Sequence, residues 1–279
     1  MNLAGKTVVI TGANSGIGLE TARELAARGA TIVMACRDAA RAEAARADIA
    51  ASVPGAKLEL VALDLAALAS VRAAAAHIAA AHPAIDVLIN NAGLVPFKRR
   101  LTKDGFEMQF GVNHLGHFLL TRLLLPQLLA AGRPRVLNVA SMMHHIGKLD
   151  FGSFRGETPY GTFKAYGQSK LCNVLFTREL ARRHGGDGLL TWSLHPGPVG
   201  TNIMGRGLVN RVLYKLVGAY MSPKRGAKTS VYLASADGLE ASNGAYYDEF
   251  QKVKPGSKLS QDMALAARLW AESEKLVGA

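Results

Sequence analysis

Short apolar runs alternate with longer stretches of helical spacing in the first third of the chain. The runs are rich in β-branched residues and predict buried parallel strands at residues 6–11, 31–35, 57–63 and 85–89. The Ala-rich stretches between them predict helices, among them 39–51 and 66–81. Strands that alternate with helices form a parallel sheet with right-handed crossovers and helices on both faces.

The remaining two thirds of the chain continue this alternation. Helices are predicted at residues 106–129, 165–182, 226–236 and 260–276, and strands at 135–139, 189–194 and 244–247. No internal repeat and no linker-like stretch interrupts the pattern. The sequence therefore predicts a single α/β domain over residues 1–279, with a Rossmann-type, doubly wound parallel sheet of about seven strands.

Residues 202–225 differ from this pattern. They carry an apolar stripe that consists of Leu208, Val209, Val212, Leu213, Leu216 and Val217. Cations lie between these positions, at Arg206, Arg211 and Lys215. We favour a substrate lid that packs on the body of the domain. The alternative is a basic amphipathic helix in peripheral contact with a lipid surface.

Composition narrows the possible functions. The net charge is +12, but the cations are dispersed and aromatic residues make up only 6%, which argues against nucleic acid as a partner. No apolar run reaches the roughly 18 residues that a membrane span requires. Cys36 and Cys172 are isolated, which excludes a disulfide framework and predicts a reducing, cytoplasmic location.

A glycine-rich turn follows the first strand and leads into a helix. Such a turn brings backbone N–H groups and the positive end of a helix to one point, where a pyrophosphate can lie. Glycine permits both the tight turn and the close approach of phosphate to the backbone. We therefore predict dinucleotide binding by Gly12, Asn14, Ser15, Gly16, Ile17 and Gly18.

Arg37 and Asp38 follow the second strand, where the adenosine ribose of a dinucleotide would lie. An Arg at this position pairs with a 2′-phosphate, whereas an acidic residue binds the ribose hydroxyl. Arg37 therefore predicts NADPH in preference to NADH. Asp38 leaves two alternatives open, a salt bridge with Arg37 or a contact with the ribose itself.

Tyr166 and Lys170 are four residues apart on a predicted helix, so both side chains address the same small volume. A nearby cation favours the phenolate and lowers the pKa of the phenol from about 10 toward neutral pH, as general acid–base catalysis requires. The same spacing is also typical of a solvated helix face. The other motifs of the chain favour the catalytic interpretation.

The predicted helix 106–129 contains three polar residues in an apolar setting. Asn113 needs a buried partner or an ordered water, because an unpaired amide in such a helix is costly. His114 and His117 have no carboxylate or cysteine beside them at ligand spacing. We therefore predict no metal there and interpret the two histidines as packing or solvent-facing residues.

Two later strand ends carry further polar residues. Ser141 follows the fifth strand, and His144 and His145 lie beyond it in a predicted polar loop next to the substrate. The sixth strand leads into residues 195–201, where two prolines predict a rigid turn with few N–H donors. Ligands of doubly wound sheets bind at the carboxyl ends of the strands, so both segments are candidates for the site.

Together these motifs resemble the short-chain dehydrogenases/reductases. They follow that family's order, with the turn at residues 11–18, Asn90-Asn91-Ala92-Gly93, Asn113, Ser141, Tyr166 with Lys170, and Pro196-Gly197. Similarity to the retinol dehydrogenase-type reductases is found at residues 35–38, 163–178 and 238–247. Ala140 departs from the pattern, since the family often has a second serine there.

The resemblance implies a NADP-dependent oxidoreductase in which Tyr166 donates a proton to the carbonyl oxygen during reduction. Lys170 would lower the pKa of Tyr166 and bind the nicotinamide ribose. Ser141 would hydrogen-bond the reacting oxygen, and Asn113 would hold a water that links Lys170 to solvent. Two hydroxyl donors aimed at that oxygen stabilise the charge that develops on it.

The same resemblance implies cofactor contacts beyond the glycine turn. Asp64, with Leu65 beside it, would contact the adenine. Asn91, Ala92 and Gly93 would line the adenosine side. The nicotinamide end would be held by Tyr166, Lys170, Pro196, Gly197, Val199 and Thr201.

The leading hypothesis is an enzyme that interconverts a small apolar aldehyde or ketone and its alcohol with NADPH. One alternative is reduction of a C=C bond by the same Tyr166–Lys170 pair. Another is an NADPH-sensing binding protein without turnover, although such a sensor has no need of both Ser141 and Tyr166. The family resemblance further predicts a homodimer or homotetramer.

Overall fold

One sheet forms the centre of the molecule. The computed structural model describes residues 2–198 and 222–278. Within these ranges the strands are β1 (Thr7–Thr11), β2 (Thr31–Cys36), β3 (Lys57–Ala62), β4 (Val87–Asn90), β5 (Arg135–Val139), β6 (Leu190–Leu194), β7 (Tyr246–Tyr247) and β8 (Val253–Lys254). Their order across the sheet is β3-β2-β1-β4-β5-β6-β7-β8.

This order confirms the predicted doubly wound sheet. Strands β1 to β7 pair in parallel, and the order of the strands reverses at β1 and β4, which lie side by side. In open α/β sheets, ligands bind in the crevice outside such a reversal. The sequence pattern did not predict β8, which pairs antiparallel with β7 over only two residues. A strand of two residues is too short to show an alternation of apolar and polar positions in the sequence.

Helices cover both faces of the sheet. They are α1 (Gly16–Ala26), α2 (Ala39–Ser52), α3 (Leu68–Ala81), α4 (Met108–Phe110), α5 (Gly116–Leu129), α6 (Thr162–His184), α7 (Pro223–Ser235) and α8 (Met263–Val277). Residues of α1, α2 and α7 pack on one face around Leu25 and Trp192. Those of α3, α5, α6 and α8 pack on the other face around Phe118 and Trp270.

Capping residues set two helix starts that apolar spacing had placed three residues away. Helix α8 begins at Met263 because the Asp262 carboxylate accepts a hydrogen bond from the Leu265 N–H at 2.9 Å. Helix α7 begins at Pro223, where the Ser222 hydroxyl accepts from the Arg225 N–H at 3.3 Å. A proline at the first helical position needs no N–H partner, so it suits this start.

Most of the predicted lid at 202–225 falls outside the described residues, as do Val199 and Thr201. Its last four residues, 222–225, belong to the cap and first turn of α7. In the part of the chain that the structure describes, no helix is both long and apolar enough to cross a bilayer.

Candidate active site

A cavity of about 640 Å³ lies at the carboxyl ends of the parallel strands. Each of the first six strands is followed by residues that line it. After β1, β2 and β3 these include Gly12, Arg37 and Asp64, and after β4, β5 and β6 they include Asn91, Ser141 and His195. The fold therefore gathers into one space residues that are scattered over nearly 200 positions of the chain.

Most of the residues that the sequence singled out line this cavity. They are Gly12, Asn14, Ser15, Gly16, Ile17, Gly18, Arg37, Asp64, Leu65, Asn91, Ala92, Gly93, Ser141, Tyr166, Lys170, Pro196 and Gly197. Asn113 lies behind the wall of the cavity. Val199 and Thr201 are outside the described residues.

The glycine turn between β1 and α1 leaves room for a phosphate. Gly12 has a φ of +66°, which favours glycine. A Cβ at Gly18 would lie 2.5 Å from both the Asn91 amide nitrogen and the Gly12 carbonyl oxygen, so only glycine fits there. The Ser15 side chain makes no capping hydrogen bond, and no acidic residue lies in the first turn of α1. The backbone N–H groups at the start of α1 and the positive end of this helix suit a pyrophosphate.

The end of β2 settles one of the two alternatives for Asp38, the salt bridge with Arg37, and leaves its contact with the ribose a prediction. Its carboxylate caps α2 by accepting a hydrogen bond from the Arg41 N–H at 3.0 Å. Within the described residues, Arg37 forms no salt bridge with it or with any other carboxylate, and Arg37 is exposed at the cavity wall. Arg41 also lines the cavity. Two guanidinium groups therefore flank the position expected for the adenosine ribose.

Tyr166, Ser141 and Lys170 form the opposite end of the cavity. Burial raises the pKa of Tyr166 to about 12 and outweighs the nearby Ser141 hydroxyl, which lowers it. The Lys170 ammonium nitrogen lies 5.6 Å from the centre of the Tyr166 ring. It donates to the Val139 carbonyl oxygen at 2.8 Å. The predicted convergence of these three side chains is therefore present.

The direction of the Tyr166 pKa shift corrects one expectation. Sequence reasoning predicted that Lys170 lowers the pKa of the phenol. Desolvation instead raises it, and the same burial lowers the pKa of Lys170 to about 7. Side-chain burial is not visible in the i, i+4 spacing, so the sequence revealed the pairing of the two groups but missed the dominant influence on each pKa.

Asn113 has the buried partners that its place in an apolar helix requires. It lies in a π-helical turn, Gly111–Leu115, between α4 and α5. Its amide oxygen accepts from the Leu94 N–H at 2.9 Å, and its amide nitrogen donates to the Leu94 carbonyl and the Ser169 hydroxyl, both at 3.1 Å. A Cβ at Gly93 would lie 3.5 Å from the Asn113 amide oxygen and 3.7 Å from the Lys170 nitrogen, so the two side chains approach each other beside Gly93.

His117 connects this π-helical turn to the nucleotide end of the cavity. Its Nδ1 donates to the Asn113 carbonyl at 3.1 Å, and its Nε2 lies 2.9 Å from the Thr11 hydroxyl. That hydroxyl accepts from the N–H groups of Asn91 and Ala92, both at 2.9 Å, so its own proton is directed to His117. Both His114 and His117 are buried. Packing is therefore the correct one of the two interpretations, and solvent exposure is wrong.

The segment after Ser141 differs from the predicted substrate loop. It forms a 3₁₀ turn, Met142–His145, in which His144 is fully buried and does not line the cavity. Met142 and Met143 line it instead. The sequence offered no signal that distinguished the two methionines from core residues.

Other cavity residues were also missed, among them Leu94 and Arg41. Leu94 follows the Asn91–Gly93 motif, and Arg41 lies four residues after Arg37. Their positions next to recognised motifs are the only sequence signals that point to them.

Comparison with known proteins agrees with this geometry. The profile of the family described as short chain dehydrogenase matches residues 6–207. Human retinol dehydrogenase 12 is 43% identical over 281 residues, an alignment that spans 100% of this chain and 88% of that protein. Human retinol dehydrogenase 13 is 45% identical over 287 residues and covers 99% of this chain and 86% of that protein.

Solved structures share the fold. An uncharacterised protein from Mycobacterium paratuberculosis is 39% identical, has a TM-score of 0.80 and covers 100% of this chain and 95% of that one. A gluconate 5-dehydrogenase-like protein from Beutenbergia cavernae, described as NAD(P) dependent and with bound NADP, is 27% identical and has a TM-score of 0.70, with 89% of this chain and 96% of that one covered.

Proposed function

We propose, since the chain belongs to the short-chain dehydrogenase family and is a NAD(P)-dependent oxidoreductase acting on CH–OH groups, that it prefers NADPH and interconverts an apolar aldehyde or ketone and its alcohol. One observation carries the proposal. A single cavity joins the glycine turn and Arg37 at one end to Ser141, Tyr166 and Lys170 at the other.

The chain's own residues fit the parts of such a cofactor. The turn at Gly12 to Gly18 suits the pyrophosphate, and Arg37 and Arg41 offer cations for a 2′-phosphate. When bound, the nicotinamide supplies or accepts the hydride. A guanidinium without a carboxylate partner has its full charge available to a phosphate, which supports NADPH as the preferred cofactor.

The proton chemistry is assigned to Tyr166. With its pKa raised to about 12, the phenol keeps its proton at neutral pH, which is the form that reduction of a carbonyl needs. The Ser141 hydroxyl is close enough to Tyr166 to lower the pKa of its phenol, so both hydroxyl groups are near enough to donate to the same substrate oxygen. Lys170, with a pKa lowered to about 7, lies next to this pair and exchanges its proton near neutral pH.

The substrate end of the cavity supports an apolar compound. Leu94, Met142 and Met143 line the cavity that also holds Ser141 and Tyr166. Methionine side chains adapt to differently shaped apolar groups, so we expect tolerance for chain length within one substrate class.

A panel of aldehydes and ketones of increasing chain length, followed by the absorbance of NADPH, tests this proposal. We expect turnover that increases with apolar surface and is slower with NADH. Product analysis must show the alcohol, because survival of the carbonyl beside a reduced C=C bond would assign the protein to the ene reductases. Absence of turnover over the whole panel, despite tight NADPH binding, would favour a sensor.

Three expectations from the sequence stay predictions. They are a dimeric or tetrameric assembly, a cytoplasmic location, and a lid or lipid-contacting role for residues 202–225. Sedimentation velocity and vesicle flotation of the purified full chain test the first and the third.

A further inference from the structure

His144 is a buried polar residue that the proposed chemistry does not use. It lies three residues after Ser141 and is 0% exposed. Its ring is tilted against that of His145, with ring centres 4.1 Å apart, and meets the Tyr246 ring edge-on, at 4.6 Å. It does not line the cavity. Any influence that it has on the site must therefore act through a neighbour.

Both ring nitrogens of His144 have partners. Nδ1 lies 2.7 Å from the carbonyl oxygen of Ser141, and Nε2 lies 3.2 Å from the N–H of Ser257. The carbonyl only accepts and the N–H only donates, so the proton of the neutral ring is on Nδ1. Burial, together with the nearby His145, His195 and Arg178, lowers the pKa of His144 to about 4, although the bond to the Ser141 carbonyl raises it. The ring is therefore neutral at neutral pH.

The Ser141 carbonyl is part of the backbone that aims the Ser141 hydroxyl at Tyr166. The His144 N–H also donates to this carbonyl, at 3.1 Å, and the Ser141 hydroxyl accepts from the Met143 N–H at 3.3 Å. The ring and the backbone N–H of His144 therefore both bond to the Ser141 carbonyl, and these two bonds stabilise the 3₁₀ turn. At the other side of the ring, Gly256 has a φ of +76°, and a Cβ there would lie 3.4 Å from Nε2.

We propose that His144 is a positioning residue, which orients Ser141 toward Tyr166 by donating its Nδ1 proton to the Ser141 carbonyl and anchors this turn on Ser257. The inference deepens the proposed function and rests on it. His144 acts on the reaction only through Ser141, so its contribution should disappear when the Ser141 hydroxyl is removed.

A double-mutant cycle tests this inference. His144→Phe keeps the ring and removes both hydrogen bonds, and we expect kcat to fall roughly tenfold with little change in KM. In a Ser141→Ala background, the same substitution should change kcat less than about twofold. An equal loss in both backgrounds, or no loss in the first, overturns the proposal. His145→Phe is the matched control, since His145 is exposed and its ring makes no hydrogen bond to Ser141 within the described residues.

Two further measurements keep the test decisive. His144→Asn retains a donor near the Nδ1 position and should recover most of the kcat that His144→Phe loses. Nitrogen-15 NMR of the unmodified protein should show the Nδ1–H tautomer for His144, and an Nε2–H tautomer overturns the proposal. The NMR result does not depend on turnover, so a failure of the proposed function would be recognised separately as inactivity of the unmodified protein.

Discussion

The two ends of the cavity are built in different ways. At the end where the nucleotide is expected, the cavity is lined by the glycine turn of residues 12–18 and by exposed cations such as Arg37. At the chemical end, Asn113, Ser141 and Lys170 are almost completely buried, and Tyr166 is partly buried. Desolvation therefore acts strongly on one end and weakly on the other.

This difference shows what each end requires. A phosphate needs directed N–H groups and unpaired positive charge, both of which can stay in contact with water. A phenol and an amine that move a proton need pKa values set by their surroundings, and burial changes the pKa of both Tyr166 and Lys170. Substitutions at the two ends should accordingly fail in different ways.

The largest effect is expected for Tyr166→Phe. Loss of the acid–base hydroxyl should lower kcat by roughly 10²–10⁴-fold and leave NADPH affinity within about twofold. Steady-state kinetics with the best substrate of the panel and fluorescence titration with NADPH measure the two quantities. Tyr160→Phe is the matched control, because the Tyr160 hydroxyl bonds to Gln109 and does not line the cavity. Turnover near the normal rate in Tyr166→Phe would refute the assignment.

Acid should destabilise the protein through three histidines. Burial lowers the pKa of His114 to about 3 and those of His117 and His144 to about 4. Below pH 6.5 the unfolded chain binds protons on these rings and the folded chain does not, so the free energy of unfolding falls as pH decreases from 6.5 toward 4. The total is on the order of several kcal/mol, since each unit of pKa difference corresponds to about 1.4 kcal/mol.

Urea unfolding between pH 7 and pH 5 measures this dependence above the range where most carboxylates titrate. His114→Phe removes the histidine with the lowest pKa and should flatten the slope. An unchanged slope in that variant would mean that its ring does not resist protonation.

Arg37→Ala tests the nucleotide end of the cavity. Loss of a charged hydrogen-bond donor to a phosphate should weaken NADPH binding by roughly 10–100-fold and NADH binding by less than about twofold. Arg46→Ala, which changes an exposed arginine of α2 outside the cavity, should change neither affinity. Equal losses for both cofactors would contradict the assignment of Arg37 to a 2′-phosphate.

The smallest expected effect is a gain in stability. Lys170→Met should abolish most turnover but raise Tm by a few degrees at pH 7, because it removes a buried amine whose pKa is lowered from 10.5 to about 7. The Val139 carbonyl keeps a partner, since Asn173 also donates to it at 3.2 Å. The unfolded chain binds the Lys170 proton more strongly between pH 7 and 10.5, so the gain should shrink as pH rises through that window. Calorimetry at pH 7 and pH 9.5 measures the gain in Tm and its decrease with pH.

The residues that sequence reasoning placed well have short-range reasons for their positions. The glycine turn lies directly between a strand and a helix, and its residues contact one another over a few positions. Tyr166 and Lys170 share one helix, so their proximity follows from a spacing of four. The parallel order of the strands follows from the alternation of elements, because crossovers are right-handed.

The errors have long-range causes. The His144 ring bonds to Ser257, 113 residues away, and His117 bonds to Thr11, 106 residues away. No local sequence pattern predicts partners at such a distance along the chain. Asp38 is a related case, because whether its carboxylate caps α2 or pairs with Arg37 depends on a backbone geometry that propensity leaves undecided.

The sequence by itself determined the doubly wound sheet, the glycine turn between β1 and α1 and the identity of the groups that meet at the carboxyl ends of the strands. Only the tertiary structure decided their protonation and orientation. Burial raises the pKa of Tyr166, lowers that of Lys170 and holds three histidines neutral. Desolvation depends on atoms brought from distant parts of the chain, and spacing along the sequence carries no measure of it.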